Sequence, residues 1–242
     1  MTSQDFEDGL AAMAAAAREA IAYRRGVAAA ETTPVATYRD MLAAFDAPLP
    51  ETSGAPGEII QDLITRATPG IRAATGPRFF GWVIGNSHPT GVAADWLASA
   101  WGQNVGNLVS APAASAIETV AANWLLEILD LPRQASVGYV TGATVANFVC
   151  LAAARSEVLA RIGWDVEADG LIGAPPVRVL IGADAHATVF SGLKYLGLGA
   201  RRVITVETDD LGRMLPSAFE QRDHRPRRRD HGRRGDFGLA YG

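Results

Sequence analysis

The sequence predicts an α/β fold with a parallel sheet, preceded by a set of helices. Three short apolar runs, at residues 137–140, 177–181 and 202–206, have the length and composition of buried strands. A helix-length segment follows each of the first two runs, after a turn of small or polar residues. Strand–helix–strand–helix–strand order is typical of parallel crossovers.

The composition indicates a folded protein of a reducing compartment. Of 242 residues, 48% are hydrophobic, and the single cysteine, Cys150, is predicted to be buried in the middle of a helix. The acidic N-terminus argues against a secretory signal, and no uninterrupted apolar run reaches the length of a membrane span. We expect a cytoplasmic protein without a membrane partner.

The formal net charge of −4 is unevenly distributed. Residues 222–242 contain seven arginines and three aspartates, which leaves −8 on the preceding residues. This segment has no apolar periodicity, so residues 221–242 are predicted to be a disordered tail. An arginine-rich tail can bind nucleic-acid phosphates, but this one is short, interrupted by aspartates and attached to an acidic body. No nucleic-acid partner is therefore predicted.

Residues 1–75 are predicted to form an N-terminal helical segment. Helices are expected at residues 5–30, 37–45 and 58–66, separated by Pro- and Gly-containing loops. Such short helices bury little apolar surface on their own, so we expect them to pack on the main domain or on a neighbouring subunit. The third helix has four apolar side chains at core-facing spacing: Ile59, Ile60, Leu63 and Ile64.

Residues 76–104 combine glycines with aromatic side chains, among them Phe80 and Trp82. Such a cluster suits a pocket wall or a subunit interface, and a buried hydrophobic cluster is equally consistent with it. His88 precedes Pro89, a residue that suits the first position of a helix reaching about residue 101. A histidine in this position is interpreted as structural.

A capping-box spacing marks the next helix. Ser115 and Glu118 lie three residues apart, so the serine is predicted to cap a helix over residues 116–129. The apolar run at residues 137–140 follows it.

The turn at residues 141–144 opens an Ala-rich helix that is predicted to reach about residue 162. Free N–H groups and the positive end of the helix dipole make such a turn suitable for a phosphate group. From this stretch alone, an ordinary N-capped crossover helix remains the simpler interpretation. Asp184 and His186 follow the next predicted strand, and ligands of parallel sheets collect beyond the carboxyl ends of the strands.

Five pieces of the sequence, in order between residues 76 and 220, resemble the group II pyridoxal-phosphate decarboxylases. This family includes aromatic-amino-acid and glutamate decarboxylases. The resemblance implies a partial type I pyridoxal-phosphate-transferase-like large domain over residues 76–220, decarboxylation of an amino acid, and a homodimer across which the N-terminal helices pack. The five pieces are PRFFGW, SAPA with IETVAANWL, TGATVANFVCLAAAR, DAHATVFSGLKYLG and VETDDLGRML.

The same resemblance implies site residues and a cofactor, pyridoxal 5'-phosphate. Gly142, Ala143 and Thr144 would bind the cofactor phosphate through the turn amides. His186 would stack on the pyridine ring and is the candidate catalytic residue; without the family, a bond to nearby backbone would be the preferred interpretation. No metal is implied, and the four histidines and one cysteine show no metal-ligand spacing.

On the substrate side, the resemblance implies contacts from Phe80, Pro112 and Ala113. It also exposes a departure from the family, whose cofactor is bonded to a lysine after a histidine far downstream. Lys194 is the only lysine here, eight residues after His186 on a predicted helix, where we expect it to be solvated. We therefore expect a truncated or frame-shifted form with little or no activity.

Two other classes of function stay open. One is a non-catalytic fragment that binds pyridoxal phosphate or supports oligomerisation. The other is a dinucleotide-binding enzyme, which is disfavoured because the turn at residues 141–144 lacks the G-x-G-x-x-G pattern. An acidic residue is also missing from the next strand end at the usual distance of about 20 residues.

Overall fold

The structure of the protein, a computed structural model, describes residues 2–85, 87–223 and 238–241. The chain divides into two compact units, the first ending at Glu118 and the second beginning at Thr119. The predicted boundaries at residues 75 and 220 stay predictions.

The first unit is helical, as predicted. Its first two helices begin with capping boxes, in which Thr2 pairs with Asp5 and Thr37 with Asp40. These hydrogen bonds from the two threonines lower the pKa of both carboxyl groups. The helices are α1 (Ser3–Gly26), α2 (Tyr38–Phe45), α3 (Pro56–Ala67) and α4 (Pro89–Ala100), with a 3₁₀ turn at Thr68–Gly70. Helix α5 (Pro112–Ile128) begins in this unit and continues into the second.

Small side chains dominate the buried positions of the first unit. Ala12 in α1 is buried, as is Ala73 after α3, and α1 packs along α3. Ile59 and Leu63, predicted to face a core, each remain about half exposed. The prediction that they face a core is therefore not met at these two positions.

The second unit contains the predicted parallel crossover. Strand β1 (Arg178–Gly182) runs parallel to β2 (Val203–Val206), and helix α8 (Ala187–Tyr195) connects them. A third strand, β3 (Gly238–Tyr241), pairs in parallel with the other edge of β1, which gives the order β2-β1-β3. The remaining helices are α6 (Ala143–Ala160), α7 (Val166–Asp169) and α9 (Pro216–Asp223), with a 3₁₀ turn at Ala200–Arg202.

The core of the second unit lies between β1, α6 and α8. Ile181 of β1, Val189 and Leu193 of α8, and Leu151 of α6 are all buried in one cluster. Gly192 allows α8 to approach α6 closely, because a Cβ atom there would lie 3.3 Å from Leu151 Cδ1. Each of these side chains is removed from water, which is the main stabilising contribution of this unit.

Two predictions about secondary structure were wrong. Residues 137–140 do not form a strand, and Tyr139 and Val140 are exposed. Because β2 and β3 occupy both edges of β1, the run cannot pair with the central strand of the described sheet. The helix predicted to start after Ser115 starts at Pro112 instead. The Ser115 amide donates to Ala111 O at 2.9 Å, which places the serine inside the first turn.

Cys150 is exposed, contrary to the prediction that it is buried. Its neighbour Leu151 takes the core-facing position of α6, and consecutive helical residues point about 100° apart. By length and composition alone, α6 is also apolar enough to cross a membrane. The core helix of an α/β domain meets the same criterion, and α6 packs against α8.

The predicted tail is only partly described. Residues 221–223 complete α9 and residues 238–241 form β3, so these parts have regular structure rather than the predicted disorder. Strand β3 pairs with an edge of β1 that would otherwise have unpaired backbone groups. The rest of the prediction falls on residues 224–237 and 242, which lie outside the described residues.

Candidate functional site

Helix α6 begins with backbone donor groups that have no partner among the described residues. Gly142 precedes the helix in an extended conformation, and no side chain caps it. Its carbonyl accepts the N–H groups of Val145 and Ala146, at 3.1 and 3.0 Å. Among the hydrogen bonds of the described residues, none uses the N–H groups of Ala143 or Thr144. The helix therefore presents two free N–H groups at the positive end of its dipole.

The space around this turn is open. A Cβ atom added at Gly142 would have no other heavy atom within 4 Å, and the side chain of Thr144 is exposed. Because the Thr144 hydroxyl does not cap the helix, it remains available as a third donor. Two amides and a hydroxyl at a helix N-terminus form a site for an anionic group.

His186 begins helix α8 at the end of the neighbouring strand. Its Nδ1 atom accepts the Thr188 backbone N–H at 3.2 Å and lies 2.9 Å from Thr188 Oγ1. Asn147 of α6 donates from Nδ2 to the same Thr188 Oγ1 at 3.1 Å. A chain of side-chain hydrogen bonds thus connects the first turns of α6 to the imidazole, whose ring is exposed.

The turn that precedes His186 also makes hydrogen bonds to the end of β2 and the residues after it. Asp184 Oδ2 accepts a hydrogen bond of 2.5 Å from Thr208 Oγ1, and the Ala183 amide donates to Val206 O at 2.9 Å. These bonds join the carboxyl ends of β1 and β2. The position of His186 therefore follows from the sheet as well as from α8.

Two residues of this arrangement, Asn147 and Thr188, are not among those that the sequence predicts for the site. The spacing His-Ala-Thr, with a hydroxyl two residues after a helix-capping histidine, is a signal for Thr188. Asn147 lies three residues after Thr144 and so shares its helix face. The contact between Asn147 and Thr188 depends on the packing of α6 against α8, which the local sequence does not reveal.

Lys194 lies in the last turn of α8 and is exposed, as predicted. His186 lies at the opposite end of the helix, eight residues away. At a rise of 1.5 Å per residue, the separation along the axis is about 12 Å. The only lysine of the chain is therefore placed away from the strand-end histidine.

The predicted substrate-binding residues Phe80, Pro112 and Ala113 belong to the first unit, so their role stays a prediction. Phe80 is 91% exposed, and Pro112 and Ala113 are exposed at the start of α5. Trp82 is also exposed, with the Arg72 guanidinium 5.1 Å from its ring centroid. The alternative of a buried aromatic cluster is therefore wrong.

His88 has a structural role, in agreement with its interpretation from the sequence. Its Nδ1 atom accepts the Thr90 N–H at 3.2 Å and so caps α4. Among the described side chains, no group of three or more histidine, cysteine, aspartate or glutamate residues is placed to hold a metal.

The fold and this arrangement define a class: an α/β protein with backbone donors at one helix N-terminus, linked by side-chain hydrogen bonds to a histidine that caps the next crossover helix. A sequence profile of the pyridoxal-dependent decarboxylase conserved domain matches residues 39–225. The chain belongs to the pyridoxal-dependent decarboxylase family, whose cofactor is pyridoxal 5'-phosphate and whose reaction belongs to amino-acid metabolism. The predicted family, fold class and cofactor are confirmed.

Individual relatives agree with this assignment. The aromatic-L-amino-acid decarboxylase of Bacillus atrophaeus is 28% identical over 173 residues, which cover 72% of this chain and 34% of the relative. Tryptophan decarboxylase 1 of Oryza sativa subsp. japonica is 28% identical over 171 residues, covering 66% and 32%. The chain thus spans about a third of the length of these curated relatives.

A solved structure shows the same fold. The crystal structure of Oryza sativa TDC with PLP and tryptamine superimposes with a TM-score of 0.75 at 21% sequence identity. The match covers 91% of this chain and 46% of that one.

Proposed function

We propose that the second unit binds pyridoxal 5'-phosphate, with the phosphate at the N-terminus of α6 and the pyridine ring against His186. The observation that carries the proposal is the pair of free N–H groups at Ala143 and Thr144, next to a helix that is tied to the imidazole. The function served is decarboxylation of an aromatic or acidic amino acid.

The residues present fit a phosphate monoester. Such a group carries close to two negative charges and needs several donors. The N–H groups of Ala143 and Thr144, the Thr144 hydroxyl and the dipole of the 18-residue helix α6 supply them. The open space around Gly142 leaves room for the group.

The chemistry that pyridoxal phosphate supplies when bound is an electron sink for the electron pair left by departing carbon dioxide. The residues of this chain bind and orient. The first turn of α6 anchors the phosphate through hydrogen bonds that charge makes strong. His186, held by Thr188, provides a flat surface of fixed orientation for the aromatic ring.

We further propose that the 242-residue polypeptide, taken alone, binds the cofactor with little or no amino-acid turnover. Its single lysine is exposed at the far end of α8 from His186. An active enzyme would bind the cofactor and release carbon dioxide, whereas a non-catalytic fragment would keep the same anion site and only bind. Equilibrium binding of pyridoxal phosphate, measured beside release of carbon dioxide from aromatic and acidic amino acids, separates the two. Turnover abolished by Lys194→Arg would contradict this placement of the lysine.

The binding site itself is tested by Ala143→Pro. Proline is well tolerated at the first helical position, so the change removes one N–H donor while α6 is retained. We expect about a tenfold loss of pyridoxal phosphate affinity in equilibrium dialysis, as for a hydrogen bond to a charged group. Ser3→Pro makes the same type of change at the start of α1 and should leave affinity within about twofold. Equal affinities for both variants would contradict the site.

The proposal includes a homodimer. Helix α5 exposes several large apolar side chains, and a stripe of this kind marks a subunit interface more often than a monomer surface. Light scattering should give twice the chain mass of 25.5 kDa, and Ile117→Glu should shift the protein toward the monomer. A wild-type monomer would contradict it. The exposed side chains of α5 include Ile117, Val120, Trp124, Leu125 and Ile128.

A further inference from the structure

The imidazole of His186 has more partners than a helix cap requires. The Thr188 backbone N–H at 3.2 Å is sufficient to cap α8. Thr188 Oγ1 adds a second contact to Nδ1 at 2.9 Å, and Asn147 reaches this hydroxyl from another helix. The sequence separation between Asn147 and Thr188 is 41 residues, so the contact forms only in the folded unit.

The direction of these hydrogen bonds follows from the chemistry of the groups. A backbone N–H only donates, so the helix cap favours an Nδ1 atom that accepts and carries no proton. The Asn147 amide group donates to Thr188 Oγ1, which leaves the hydroxyl proton free to point at Nδ1. Every donor then faces an acceptor when the neutral ring carries its proton on Nε2.

The surroundings favour keeping this network intact. Asn147 and Thr188 are both partly buried, and the next residue, Val189, is in the core. Hydrogen bonds partly shielded from water are stronger, and breaking one of them leaves a polar group without a partner.

We propose that Thr188 and Asn147 are positioning residues: together they hold His186 in the Nε2–H tautomer and in one ring orientation. The purpose of that restraint rests on the proposed function, in which the imidazole face holds the cofactor ring. A ring fixed before binding loses less freedom when the cofactor arrives, so the restraint raises affinity.

The tautomer of His186 is measurable in the cofactor-free protein by long-range ¹H–¹⁵N NMR at alkaline pH, with the signal assigned by its loss in His186→Gln. We expect the Nε2–H form to dominate in the wild type. Asn147→Asp is nearly isosteric but accepts the Thr188 hydroxyl proton, which turns the lone pairs of that oxygen toward Nδ1. The Nδ1–H form should therefore increase, with loss of the hydrogen bond from the Thr188 backbone N–H to Nδ1. The same substitution at the exposed Asn123 should change nothing.

Cofactor affinity provides a second measurement. Thr188→Val removes the hydroxyl but keeps the side-chain shape and the backbone N–H. We expect pyridoxal phosphate affinity to fall about threefold to tenfold, as for one lost hydrogen bond, and Thr188→Ser to restore it. Thr205→Val, at an exposed position of β2, is the matched control and should bind like the wild type.

The outcomes separate this inference from the function it rests on. If Asn147→Asp leaves the tautomer of His186 as in the wild type, or if the wild type already favours Nδ1–H, the positioning role is overturned. If neither the wild type nor any variant binds pyridoxal phosphate, the proposed function fails. The tautomer measurement then still decides the positioning role. A Thr188→Val protein that does not fold leaves the decision to Asn147→Asp.

Discussion

Helices α4 and α8 begin with the same local pattern, a histidine followed two residues later by a threonine. In both, histidine Nδ1 accepts the threonine N–H at 3.2 Å. Of the twelve described residues of α4 none is buried, whereas α8 buries Val189, Gly192 and Leu193. Among the described residues, only the histidine of α8 is also linked to another helix, through the Thr188 hydroxyl, which accepts from Asn147. The local sequence forms the cap in both helices. Only in α8 does tertiary packing link the capping histidine to a second helix, at the candidate cofactor site.

The largest expected difference between the two helices concerns packing. Leu193→Ala removes a side chain that is completely buried in the core of the second unit. We expect a loss of about 2–5 kcal/mol, as for other leucine cavities. Leu97→Ala in α4 removes a side chain that is 47% exposed and should cost less than about 1 kcal/mol.

Hydrogen exchange of the amides in each helix measures this difference. Similar losses of protection for Leu193→Ala and Leu97→Ala would contradict the claim that α8 is packed in a core and α4 is not.

The second expected difference concerns the cofactor. His186→Ala should weaken pyridoxal phosphate binding by about tenfold or more, because both the ring surface and its orientation are lost. His88→Ala, which also removes a helix cap, should leave affinity within about twofold. His186→Asn separates the two effects of the change, since asparagine caps a helix well but offers no aromatic surface.

Equilibrium dialysis measures all three variants. Binding by His186→Asn at wild-type strength would show that the cap, and not the ring, accounts for the role of His186.

The smallest expected effect is a loss of folding stability at acid pH. In the turn after β2, Asp209 accepts hydrogen bonds that lower its pKa, chiefly from the Arg213 amide. A carboxyl group with a lowered pKa stabilises the fold above its ordinary value of 3.8, and the stabilisation is lost as pH falls below that value. In α2, Asp40 behaves in the same way.

Both units should therefore lose a little stability as pH falls from about 5 to about 3. The loss should be smaller than the losses expected for Leu193→Ala and Leu97→Ala. Denaturant unfolding of Asp209→Asn should show a weaker pH dependence than the wild type in this range. An unchanged dependence would mean that Asp209 contributes nothing to it.

Much of the fold is predictable from the sequence, because it depends on local patterns. The capping residues, the apolar run of β1 and the glycine before α6 determine their elements largely on their own. The failures depend on partners far along the chain. Residues 137–140 have a strand-like composition but pair with none of the three described strands, and Cys150 is exposed because Leu151 takes the core position.

The candidate site divides in the same way. The donor groups of Ala143 and Thr144 are predictable from the small-residue turn. The hydrogen bonds that orient His186 through Thr188 also require Asn147, which lies on a separate helix. Periodicity carries no information about which two helices meet.

The central claim is that the first turn of α6 binds a cofactor phosphate, and a pair of ligands without an aldehyde tests it most directly. Pyridoxine 5'-phosphate and pyridoxine differ by the phosphate and form no covalent bond with amines. We predict that calorimetry gives at least about tenfold tighter binding of the phosphate ester, as for charge-assisted hydrogen bonds. Ala143→Pro should reduce this difference in affinity between the two ligands. Equal affinity of the wild type for both ligands would contradict the claim.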